Sequence, residues 1–465
     1  MHENRCYVEL AGYRLLVLKR VALAAVVASA LLAPGLARAE LLPDSLGSPD
    51  AALAVAPDGS PRVALVGADG SLALEARTLD GVWSSQPVAG LPGPNPFVVG
   101  LEVAPNGTTE LLAEDPAGRW LALAEQSAAG AWNVRTVALA PKGGLLGFGG
   151  LALDASGRPW IAYATELASR KTWLRLVHED AAGRLVGEAV TRRGFPASEV
   201  LPSAEPVVLP GGAVRVLEAY ASSTIEWSRT RNHRDWAGQF VYASALGTPA
   251  GVVRAAAPAD GGVWSAWTEL FPTFAESQVL LTLHLAGEQT TIVHRHAFLV
   301  SLVLVGAGQP SVGAVDYVNL PAGRRVDAGL VLDPSGGSLE LAGDLKGYAA
   351  DAAGGRQYLL LAPDGLSWYR TTAPPAAQVE LAAAVSGASF ALSGRVAGAA
   401  PGGSVELWRE TQAGSELAGT LPLAADGTFA TGDLPPVRPL VYRAVYRDPA
   451  SGLPLAALIR SVLGG

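Results

Sequence analysis

The chain has 465 residues, 49% of them hydrophobic and 16% charged, too apolar for a disordered polymer and too long for one ordinary core unless the architecture is a ring or a repeat. Five of its 34 basic and two of its 42 acidic residues fall within the first 39, so the remainder carries a net charge of −11. That balance argues against general nucleic-acid or anionic-membrane binding.

The N-terminus reads as a secretory signal over residues 1–39. Lys19-Arg20 form the basic flank, residues 21–37 an apolar core, and Ala37-Arg38-Ala39 an A-x-A cleavage site before Glu40. Pro34, Gly35 and Arg38 interrupt the run before it reaches the roughly 20 residues that a membrane span needs. The one cysteine, Cys6, leaves with this segment, so the mature chain is expected to have no disulfide and no membrane span, and to be extracellular.

From residue 52 the chain repeats. ALAVAPDGSPRVALV turns at Gly59, LEVAPNGTTELL at Gly107 and LALDASGRPWIAYA at Gly157. PVVLPGGAVRVLEAY turns at Gly211, VVRAAAPADGGVWSAWT at Gly261 and SLVLVGAGQPSVGAVDY at Gly308. Successive turn glycines are 48, 50, 54, 50 and 47 residues apart. Each turn joins two alternating apolar runs, the pattern of a hairpin whose glycine takes a positive φ. Half a repeat later comes a second turn, at Gly81-Val82-Trp83, at Gly130-Ala131-Trp132 and before Trp236. Each unit is thus predicted to be four short antiparallel strands, and four strands at a ~50-residue period make the blade of a β-propeller. The expected fold is all-β: a six-bladed propeller over 40–374, with seven blades as the alternative if 328–374 supplies another.

On these turns the chain resembles secreted bacterial β-propellers. Asp80-Gly81-Val82-Trp83 is similar to a degenerate Asp-box of the sialidase type that lacks its leading Ser and its Thr. The resemblance covers roughly residues 45–374 and implies architecture, not a named enzyme. After Ala373-Pro374-Pro375 the period changes. Seven or so alternating segments in 376–465 predict a β-sandwich, similar to the immunoglobulin-like or fibronectin-type-III-like modules of secreted proteins, expected to fold separately.

No nucleophile elbow, phosphate loop, zinc-protease or calcium-loop motif is present. His294 and His296 form an H-x-H with His284 one strand earlier, but the position predicts a solvated outer edge, so neither metal nor cofactor is expected. The basic run from Ser228 to Asp235 reads as a turn between third and fourth strands. Trp83, Trp132, Trp236 and Trp368 are expected to pack between blades.

Strand phase gives the candidate site. Second-to-third loops and blade-to-blade connections share one end of a propeller. Here they contain Lys142, Arg170, Lys171, Arg192, Arg193, Arg324 and Arg325, together with Glu166, Phe195, Glu269, Phe271, Phe274 and Glu276. Cations gathered on an acidic protein imply an anionic partner. The expected function is a secreted, non-enzymatic binder of an acidic glycan or a cell-surface or cell-envelope partner. The alternatives are a sialidase-like polysaccharide hydrolase or lyase, with Glu166 or Glu269 as acid/base, and a structural scaffold.

Overall fold

The computed structural model describes residues 40–42, 50–127, 130–169, 171–191, 195–196, 202–230, 235–244, 250–270, 278–283, 291–295, 297–306, 308–319, 325–333, 338–351, 353–362, 365–386, 389–411, 413–432, 434 and 441–459. They form strands and turns. No helix among them is long and apolar enough to cross a membrane.

The strands build seven antiparallel sheets, over 51–87, 97–139, 145–196, 203–243, 250–295, 297–342 and 344–371. We number these blades one to seven, and strands first to fourth from the axis outward. The first strands touch in sequence around the ring, and the last meets the first where blade seven lies against blade one. The six blades favoured from sequence are corrected to seven, because 328–374 supplies strands to two sheets. The sixth and seventh blades split the segment 328–374: LVL and SLELA are the outer strands of blade six, whereas YLLLA and GLSWYRT belong to blade seven.

Blade seven takes its fourth strand from the opposite end of the chain. Glu40 pairs with Trp368, Leu41 pairs with Ser367, and Leu42 N donates to Leu366 O at 2.9 Å. The ring is therefore closed by strand exchange between the two ends of the propeller sequence. This leaves blade seven three strands of its own in the first-to-last order, which is why a unit-by-unit reading undercounts it.

Local chemistry explains the hairpins. In blade one, the alternating 51–55 and 61–66 segments meet in register from Ala51↔Leu65 to Val55↔Pro61. Gly59 sits between them at φ 82°, where an L side chain is strained, and Asp58 Oδ1 accepts from Ser60 N at 2.9 Å. In the fourth unit the left-handed residue is Gly212, one position after the expected Gly211. The equivalent glycine of blade seven is Gly354, at φ 84°.

Blades cohere through apolar clusters at each junction. Leu74, Leu101 and Leu111 pack between blades one and two, and Leu217, Val253 and Trp267 between four and five. Trp83 meets Trp368 edge-on at 5.9 Å between blades one and seven, as expected for inter-blade packing, although Trp368 lies within a third strand rather than a turn. Bulges in the first strands free backbone N–H groups, and the preceding blade supplies the acceptors. Asp50 Oδ2 accepts from Val98 N at 2.6 Å, Thr268 Oγ1 from Leu299 N at 2.9 Å and Glu114 Oε2 from Gly149 N at 3.3 Å.

Among its described residues the C-terminal segment makes seven strands in two sheets, one of three strands and one of four. Their facing sides share Phe390 and Leu392 from one sheet with Leu407 and Tyr442 from the other. The prolines at 374 and 375 do not isolate it. Leu455 pairs with Leu341, so the four-stranded sheet continues blade six into one eight-stranded sheet. Leu341, Tyr348 and Tyr369 of the propeller lie in one buried cluster with Phe429, Tyr446 and Leu455. The expectation of few contacts across the junction is corrected by this shared core: the outer strand of blade six leaves an open edge and an apolar flank, and the C-terminal sheet covers both.

Candidate functional site: the loop rim and the axial cavity

Antiparallel order puts all second-to-third loops and blade connections at one end of the ring, as the strand phase predicts. Lys142 lies in the connection from blade two to blade three and is exposed; Lys171 opens the third strand of blade three and is exposed. Two ladders draw their segments together. Leu145 pairs with Glu166, and Lys171 pairs with Pro196 of the two-residue strand Phe195–Pro196. Packing at this corner is close: a Cβ on Gly144 would stand 2.2 Å from Glu166 O, so only glycine lets the connection lie against the loop. Arg325 opens the third strand of blade six. Around the ring, blade six is separated from blade three by two blades on one side and three on the other, so Arg325 does not share the Lys142–Lys171 corner. Arg170, Arg192, Arg193, Arg324, Phe271, Phe274 and Glu276 lie outside the described residues.

Neither Lys142 nor Lys171 makes an ion pair among the described residues, in contrast to several arginines of the propeller and of the C-terminal sheets. Arg77 holds Glu40 at 2.7 Å, Arg215 holds Glu226 at 2.7 Å, and Arg443 holds Glu410 at 2.7 Å. Arg229, in the predicted basic turn, pairs with Glu188 and lies over the Trp236 ring at 4.7 Å; residues 231–234 are outside the described set. The acids offered from sequence sit beneath the rim. Glu166 and Glu269 end second strands, 7% and 2% exposed, and Glu269 accepts from Gln278 Nε2 at 2.6 Å. His294 is on the outermost strand of blade five, while His284 and His296 lie outside the described residues.

A second feature is visible only in three dimensions. The first strands of all seven blades enclose an axial cavity of about 560 Å³, lined by aliphatic residues, by Phe298, Ser301 and Tyr348, and by Asp50, Glu102, Glu205, Arg254, Asp344 and Lys346. Asp344 pairs with Lys346 at 2.7 Å, and Arg254 Nη1 reaches Glu205 Oε2 at 3.4 Å. Glu205 lies flat over the backbone of Gly150, where a Cβ would be 2.1 Å from its Oε2. Glu102 projects into the lumen, exposed to water there yet surrounded by the ring. That enclosure pushes its carboxyl up to about 7. Glu205 is pushed up to about 8 by loss of hydration, with Arg254 pulling it down and Glu102 pushing it up. The signal in the sequence was slight: a charged residue at an alternating position of a first strand, as in LEVAP, SAEPVV and VVRAA.

No protein-family profile matches the chain, and no curated protein is similar to it in sequence. Among solved structures it is similar to AofleA from Arthrobotrys oligospora, with 14% identity over 66% of this chain and 90% of that one, at a TM-score of 0.43. It is also similar to the Aleuria aurantia lectin, a six-bladed propeller, with 10% identity over 64% and 99% of the two chains and a TM-score of 0.41. The WD40 propeller domain of Doa1 matches with 13% identity over 73% and 97%, at a TM-score of 0.45. The propeller assignment rests on the strand ladders and ring contacts of this chain itself.

Proposed function

We propose that this chain is a secreted, non-enzymatic binding protein whose propeller rim takes an anionic glycan or a cell-envelope partner. The observation that carries this reading is the pair Lys142 and Lys171. Separate segments bring them to one corner of blade three, exposed and without a carboxylate partner among the described residues, on a chain of net negative charge. Unneutralised cations drawn into proximity repel unless an anion joins them. The binder is favoured over the hydrolase or lyase because Glu166 and Glu269 are buried strand ends on different blades, and Glu269 is held by Gln278. Secretion belongs to the same reading: cleavage before Glu40 would keep Glu40 and Leu41, which pair with blade seven. The C-terminal two-sheet unit serves as an appended β-sandwich.

A screen of the purified chain against an array of acidic and neutral glycans tests the proposal. Uronic-acid or sulfated oligosaccharides should bind, with affinity falling as salt rises, since exposed charges are screened over ~10 Å at 0.1 M. Lys142→Ala with Lys171→Ala should weaken that binding about tenfold while moving the melting temperature by no more than about 2 °C, because exposed unpaired charges contribute little to stability. Absence of any acidic ligand, or binding indifferent to both substitutions, would remove the reading and leave a scaffold.

A further inference from the structure

The axial cavity holds more acidic than basic side chains. Four carboxylates, Asp50, Glu102, Glu205 and Asp344, face two cations, Arg254 and Lys346. Three of the four acids have identifiable partners: Asp344 has Lys346, Asp50 accepts from Val98 N at 2.6 Å, and Glu205 has Arg254. Arg254 is itself divided, since Nη1 also donates to the carbonyl of Val253 at 3.1 Å. The Glu102 side chain makes no hydrogen bond or ion pair among the described residues; it lines the same cavity as Glu205, and the two carboxyls disfavour each other's charge. The rest of the lining mixes aliphatic side chains, Leu53 and Leu304 among them, with Ser301, Tyr348 and strand backbone.

We propose that this cavity is a second binding site, separate from the rim, for a small linear organic cation of the alkylamine or polyamine class. Its ammonium would sit between Glu102 and Glu205, and its methylenes would lie against Leu53 and Leu304. An ammonium group has three N–H donors and no acceptor, which suits two acceptor-only carboxylates. Its hydrocarbon stem gains from leaving water at roughly 0.8 kcal/mol per buried CH₂. A bare divalent ion fits less well. Calcium takes six to eight oxygen ligands, whereas the described residues contain no group of three His, Cys, Asp or Glu arranged to hold a metal. An anion fits worst, because both cations of the cavity, Arg254 and Lys346, are already engaged by Glu205 and Asp344. Glu102 and Glu205 both hold protons more tightly than free carboxyls, so the amine must displace protons to bind. Affinity should then rise between pH 6 and 8.5.

Calorimetry of the purified full chain with spermidine and with putrescine at low salt provides the test. The expected result is one site per chain, with proton release visible as a dependence of the heat on buffer. Glu102→Gln should weaken binding at least tenfold. Glu102→Lys, which places a tethered ammonium in the lumen, should abolish it and raise the melting temperature. Lys142→Ala with Lys171→Ala should leave it unchanged. No heat, multiple weak sites indifferent to Glu102→Gln, or calcium binding with the same stoichiometry and the same dependence on Glu102 would each overturn the assignment. Glu102 is lumen-facing, so Glu102→Gln should fold; it carries the test even if Glu102→Lys does not.

Discussion

Replacing Glu40 with alanine should loosen the closure of the ring. The Glu40 carboxylate accepts from Arg77 Nε and Nη2, both at 2.7 Å, and from Trp83 Nε1 at 2.7 Å. Arg77 also lies over the Trp368 ring at 5.0 Å, so one side chain of the closing strand ties blade seven to blade one. The Arg77 and Glu40 side chains are 21% and 26% exposed, which puts the pair between a surface ion pair of ~0.2–1 kcal/mol and a buried one of ~3–5 kcal/mol. Leaving Trp83 Nε1 without its acceptor adds to the loss, but water can partly replace it. Together these give about 2 kcal/mol. At roughly 2–4 °C per kcal/mol, a scale set by domains of 150–250 residues, the melting temperature should fall by about 5 °C. Differential scanning calorimetry of Glu40→Ala, Arg77→Ala and the double variant checks both size and origin. The double variant should cost much less than the sum of the two, because each single change removes the same contact. Additive effects, or a melting temperature within 1 °C of the parent, would refute the claim that this side chain fastens the ring. Removing residues 40–42 should do more, since it also strips the ladder to Trp368 and the 2%-exposed Leu42.

Three further outcomes follow from the packing and the buried acids. Leu455→Ala should destabilise the whole chain by about 3 kcal/mol in one thermal transition, because Leu455 is buried in the cluster shared with Tyr348 and Tyr369; two transitions, with the larger unchanged, would contradict the shared core. Gly150→Ala should cost about 2 kcal/mol or more, because its Cβ would come within 2.6 Å of Ala204 O and 2.1 Å of Glu205 Oε2, whereas Gly211→Ala, with nothing within 4 Å, should be near neutral in the same denaturant titration. Burial pushes Glu110 and Glu114 up to about 8, so the folded state binds protons that the unfolded chain has released. Their contribution is complete below the ordinary glutamate range and is lost as pH rises toward 8; urea unfolding should therefore show lower stability at pH 8.5 than at 5.5, with a shallower fall in Glu110→Gln, and the opposite slope would exclude this account.

Much of this protein is written locally. Alternation of side chains and a glycine at each hairpin are enough to predict the strands, because both are consequences of backbone geometry within a few residues. The phase of those hairpins also predicts which loops share an end, and the structure places the Lys142 and Lys171 segments there. Trp83 betrayed an inter-blade position because a large ring recurring in phase needs a neighbouring sheet to cover it. What the sequence could not decide depends on closing the chain on itself. Whether the ring held six or seven blades turned on Glu40-Leu41 meeting Trp368 and Ser367 across more than three hundred residues. The cover of blade six by residues 441–459 depended on an edge and a flank that exist only once the ring has formed. Glu102, Glu205 and Arg254 belong to blades two, four and five, and each alone is an ordinary polar residue in a strand. Curvature of the closed ring turns their side chains toward one axis, and enclosure there turns three scattered charges into a site.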